Sequence, residues 1–124
     1  AIFRGVVDGP QKSPWYVGLI DNSGYTGVAA TDTMASHPGW NEFTTYSDAT
    51  RREWVEGAAS GQSITNSSPS TFTINGTGVV KGGFVSDNST KGGATGTLWA
   101  TALFASPVSV VSADQLKITY TVNV

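Results

Sequence analysis

From Leu116 to the last residue, apolar and polar side chains alternate without a break: Leu116, Ile118, Tyr120, Val122 and Val124 against Lys117, Thr119, Thr121 and Asn123. A period of two places each set on its own side of an extended chain, one toward a core and one toward water or a partner. The same period recurs upstream, and a helical period is almost nowhere to be found. Trp15 to Ile20 is a compact strand with large residues on both faces, closed by the turn Asp21-Asn-Ser-Gly24. Ser70 to Ile74 sets Phe72 and Ile74 against Thr71 and Thr73, Val79 to Val85 sets Val80, Gly82 and Phe84 on one face, and Thr97 to Phe104 alternates Leu98, Ala100, Ala102 and Phe104 against Trp99, Thr101 and Leu103. Gln62 to Asn66 reads as a shorter strand, followed by the turn residues Asn66-Ser-Ser-Pro69. Seven or eight strands at roughly ten-residue spacing predict an all-β fold, an antiparallel β-sandwich of jelly-roll type.

The 124 residues suit one domain. Residues 1–14 hold two prolines and no sustained period and are read as an extended N-terminal arm, with residues 15–124 as the sandwich. Tyr25 to Ser36 is weakly patterned and irregular, and Asp87 to Gly96 is a long polar loop. Only 13% of residues are charged, about half the ~25% of an ordinary soluble protein, and the net charge is −2. No basic stripe exists to track phosphates, which argues against nucleic acid as a partner. No apolar run approaches the ~20 residues of a membrane span and no leader pattern is present, so no membrane partner is expected and the mature chain is read as soluble. With no cysteine, disulfides, thiolate metal sites and thiol nucleophiles are excluded.

The block from His37 to Gly57, HPGWNEFTTYSDATRREWVEG, concentrates what chemistry the chain has. It carries six of the sixteen charged residues, two of the four tryptophans and the sole histidine. Trp40 to Tyr46 alternates as a strand with Trp40, Glu42, Thr44 and Tyr46 on one face, and Asp48 to Glu56 is compatible with a helical turn too short to nucleate alone. A Ser-His-Asp triad would have to use His37, whose neighbours Ser36, Pro38 and Gly39 supply no nucleophile elbow; a turn histidine capping backbone is the better reading. Glu42 with Glu53 or Glu56 could form the carboxylate pair of a glycosidase, but the flanking Arg51 and Arg52 favour ion pairs. Asp21-Asn22-Ser23 and Asp87-Asn88-Ser89 offer oxygen ligands without calcium-loop spacing and read as turns. No catalytic residue, metal or cofactor is expected. Trp15 and Trp99 belong in the core, whereas Trp40 and Trp54, beside charges, are expected at the surface, where with Tyr46 they would make either a sugar-stacking platform or a protein-interface anchor.

Four segments carry a resemblance: Trp15-Tyr-Val-Gly-Leu-Ile-Asp-Asn22, Gly39-Trp-Asn-Glu-Phe43, Tyr46-Ser-Asp-Ala-Thr-Arg-Arg-Glu-Trp-Val55 and Lys91-Gly-Gly-Ala-Thr-Gly-Thr-Leu-Trp-Ala100. Their succession resembles that of small structural proteins of tailed bacteriophages, in particular the jelly-roll capsid cement, or decoration, proteins of short-tailed phages. Where the related pattern has Thr-Arg-Pro-Xaa-Trp, this chain has Arg52 in place of the proline. The resemblance implies a non-enzymatic virion protein on the outer capsid surface, made in the bacterial cytoplasm. It would bridge neighbouring copies of the major capsid protein as a homo-oligomer, a dimer or trimer, with an interface built on Arg51, Arg52, Trp54, Trp40, Tyr46 and Glu42. The alternative class is a carbohydrate-binding module or phage surface-adhesion domain.

Overall fold

The computed structural model describes residues 15–54, 63–64 and 69–123. The predicted arm, Glu56, the turn at Asn66 and the end of the last alternating stretch at Val124 lie outside them. The fold is all-β, with nine antiparallel strands among the described residues: β1 (Trp15–Asp21), β2 (Glu42–Phe43), β3 (Arg52–Trp54), β4 (Ser63–Ile64), β5 (Ser70–Thr73), β6 (Gly78–Ser86), β7 (Leu98–Val110), β8 (Gln115–Ile118) and β9 (Val122–Asn123). One five-stranded sheet runs β2-β1-β6-β7, with β3 also on β1; β5 pairs with β8 and β4 with β9. Nine strands appear where seven or eight were expected partly because the last alternating stretch breaks after Ile118 and its two halves take different partners. The break leaves the face assignment intact, since Ile118 and Tyr120 are both buried.

Strand β1 is buried on both sides, as its bulky sequence requires. Register puts Trp15, Val17 and Leu19 with Val85 on one face, in a core completed by Phe72, Ile74, Val80, Val110, Ile118 and Tyr120. On the other face Ile20 and Phe84 pack with Met34 and Trp40, both supplied by the irregular 25–41 loop. That loop is drawn closed where the amides of Thr26 and Gly27 both donate to the Gly39 carbonyl. Gly18 lies directly opposite Phe84, and the Phe84 ring fills the space a β-carbon would take. Strand β6 uses its glycines in the same way: at Gly82 the β7 backbone comes so close that only a hydrogen fits.

Two expectations for the 37–57 block fail. Trp40 to Tyr46 is not one alternating strand; only Glu42–Phe43 is, and the buried residues are Trp40, Phe43 and Tyr46. A tight turn, Tyr46 amide to Thr44 carbonyl at 2.9 Å, resets the phase, and Tyr46 then bridges to Ile74. Asp48 to Trp54 forms no helical turn, because its groups bond across the chain instead: Asp48 accepts from the Thr73 amide and the Arg51 amide donates to Ser89. Arg52, where the related pattern has proline, opens strand β3 opposite Val17.

Candidate functional site

The register that aligns Glu42 with Ile20 brings its carboxylate onto the Phe84 face of the sheet. Arg51, immediately before β3, reaches the same place. Its Nε donates to Glu42 Oε2 at 2.9 Å and its Nη2 to Oε1 at 2.6 Å, a bidentate pair in which the arginine side chain is wholly buried. The rest of the guanidinium is also used: Nη1 donates to the Asn88 carbonyl at 2.8 Å and Nη2 to the Gly93 carbonyl at 2.9 Å, while its Cζ lies 4.9 Å from the Phe84 ring centre. The Gly92 amide adds a bond to Glu42 Oε1 at 3.0 Å, and Lys91 Nζ donates to the Tyr46 and Asp48 carbonyls. These contacts tie the 87–97 loop to β2 and to the start of β3. Charges taken from water are tolerated only with such complete pairing.

The residues expected at an interface are therefore mostly interior. Trp40, Tyr46, Arg51 and Trp54 are 1, 0, 1 and 2% exposed, which corrects their assignment to the surface and leaves no ring face of Trp40, Tyr46 or Trp54 for a sugar. The reason is that each has a specific inner partner: Trp40 Nε1 donates to Asp32, Trp54 Nε1 to the Tyr120 carbonyl, and the Tyr46 ring meets Phe72 edge-on. Glu42 is nearly covered by its pairing. Arg52 alone of the six is exposed, beside Asp48 at 3.3 Å, a surface pair of little energetic weight. Glu53 is exposed and carries no bond to Glu42. Trp15 is core as expected, and Trp99 is half-buried against it. The Asx residues serve their turns: Asp21 accepts from the Ser23 amide, Asp87 from Thr97 and Asn88 from Thr90. No cluster of metal-ligating side chains occurs among the described residues.

The Tyr46 hydroxyl is buried with no hydrogen-bond partner among the described residues, and that burial pushes its phenol well above the ordinary value of 10.0. A raised folded value means that the unfolded chain gives up this proton first, so stability falls as pH rises past 10. Tyr46→Phe should hold or gain up to about 1 kcal/mol at neutral pH, by removing an unmet polar group, and should lessen the alkaline loss. Urea unfolding at pH 7 and above pH 10 checks both; a loss beyond about 1 kcal/mol at pH 7 would show that the hydroxyl is stabilising.

Above the Arg51–Glu42 pair opens a cleft of about 560 Å³ between the 34–44 segment and Gly92-Gly93-Ala94. Its wall includes His37, whose ring stacks on Trp40 at 3.8 Å and 14° and whose Nδ1 lies 2.8 Å from the Trp40 carbonyl. His37 is thus the turn histidine bonded to backbone that its neighbours suggested, and it also lines the cleft. The His37-Pro-Gly-Trp40 spacing was the available signal, and the opposite wall, about fifty residues on, had none. Comparisons with protein-family models, with curated proteins and with solved structures found no match. No helix among the described residues is long and apolar enough to cross a membrane.

Proposed function

We propose that the chain is a non-enzymatic virion structural protein, a jelly-roll capsid decoration protein that bridges neighbouring major capsid subunits as a symmetric oligomer. The observation that carries this reading is strand β7. Thirteen residues long, it borders the five-stranded sheet, pairs with β6 among the described residues, and belongs to a stretch from Gly92 to Ala113 without one charge. Leu103, Val108 and Val111, on and just beyond it, are 40, 37 and 52% exposed. Sheet borders left to water normally carry lysines or other charges, whereas the centres of protein interfaces are depleted of them. Pro107 and the register shift opposite Lys81 interrupt the ladder here, so side chains rather than an added strand would make the contact.

The internal use of Arg51 and Glu42 fits the same role, since it gives rigidity to a body that must bridge subunits under load. Repeated modest contacts around a symmetric shell add through avidity. Mixing the purified chain with undecorated capsids should give saturable, stoichiometric binding. Leu103→Lys and Val108→Lys should weaken it by about tenfold or more each with the fold unchanged, about 1.4 kcal/mol per step. Absence of binding to capsids, or binding indifferent to both substitutions, would overturn the reading.

A further inference from the structure

The geometry points to the cleft between His37 and Gly92-Gly93-Ala94 as a binding site for a neutral saccharide, at a place distinct from strand β7. Its volume, about 560 Å³, is that of a small-ligand site. The argument for the ligand class begins with charge. Glu42 is the carboxylate of the wall and is matched by Arg51, while the ammonium of Lys91, next to Gly92, is held by two backbone carbonyls. Neither an anion nor a cation therefore finds a free counter-charge among the described lining residues.

Hydrogen bonding narrows it further. A carbonyl oxygen can only accept, so the 2.8 Å contact with Trp40 places a proton on Nδ1 of His37. In the neutral ring Nε2 is then a lone-pair acceptor, and no hydrogen bond among the described residues uses it. The stack on Trp40 holds the imidazole plane in place, so this acceptor is fixed before any ligand arrives. The lining that His37 shares also includes Ser36 and Thr44, which carry hydroxyls, the amide-bearing Asn41, and Pro38 as an apolar residue. An uncharged ligand that donates and accepts through many hydroxyls, and has C–H surface to set against Pro38, meets all of these. A sugar ring has that chemistry.

The test is a titration of the isotope-labelled full chain with a panel of neutral disaccharides built from hexoses and N-acetylhexosamines, followed by NMR. At least one should shift the Trp40 indole N–H and the His37 ring signals saturably at millimolar concentration. Ala94→Trp, which fills the cleft from an exposed position, should weaken that binding by about tenfold or more, as should His37→Phe, which keeps an aromatic ring but removes Nε2 together with the Nδ1 bond to Trp40. Thermal melts and the remaining spectrum report whether each variant keeps its fold. The proposal is overturned if no neutral saccharide moves these signals, if Ala94→Trp binds as well as the parent, or if only charged saccharides or peptides bind. Capsid decoration through β7 is unaffected by any of these results.

Discussion

Replacing Arg51 with alanine should lower the unfolding free energy by about 3–5 kcal/mol, the largest single effect expected in this chain. The substitution leaves Glu42 as a buried carboxylate without its cation, and it strips the Asn88 and Gly93 carbonyls of their donors. Arg51→Lys should recover only part of this, because one ammonium cannot reproduce a two-pronged contact and two carbonyl bonds together. Glu42→Gln should fall between the two, since it keeps the shape but leaves the guanidinium charge unmatched. Urea unfolding followed by tryptophan fluorescence measures all three, and hydrogen exchange should show the 87–97 loop loosening first. An Arg51→Ala loss below about 1 kcal/mol would mean that the pair is as inconsequential as a surface bridge.

Phe84→Ala should cost nearly as much, about 3–5 kcal/mol, by the void it opens on the sheet face covered by the 25–41 loop. Phe84 is fully buried, its ring centre 5.3 Å from that of Trp40, and it occupies the space left by Gly18 on the neighbouring strand. The two positions are one packing unit. Gly18→Ala alone should destabilise by about 1–3 kcal/mol through overpacking against the ring. Combined with Phe84→Leu, it should cost less than the sum of the two single changes, because the smaller side chain yields the space the new methyl group needs. Strict additivity in that double-mutant cycle would show that the ring and the glycine do not share the site as the geometry requires.

Much of the fold was legible in the alternation itself. Phe72 and Ile74, and Ile118 with Tyr120, lie inward as their period of two required, and β1 is covered on both faces as its bulk required; Val80 and Phe84, expected on one face, are divided between the two cores because the β6–β7 register shifts at Lys81. The 37–57 block was misread for a definite reason. Aromatics beside charges belong to a surface only when the charges face water, and here Glu42 pairs with Arg51 nine residues away while the arginine's other acceptors lie 37 and 42 residues further along the chain. Nothing local in Thr50-Arg51-Arg52-Glu53-Trp54 tells which arginine turns inward. Tertiary contacts decide it: Arg52 is exposed and meets Asp48 at the surface, whereas Arg51, just before the strand, reaches Glu42 and the Phe84 ring.

The sequence by itself determined that this chain is all-β, which residues of its unbulged strands turn inward, and that its charges are few, six of the sixteen falling in one block. Those properties depend on side-chain period and composition, which neighbouring residues suffice to express. Only the tertiary structure decided that the block is consumed internally as an ionic tie between loops, that His37, stacked on Trp40, lines a cleft, and that an uncharged strand borders the sheet. Each of these depends on segments far apart in the chain meeting at one register, and a register is set by packing the whole sheet at once.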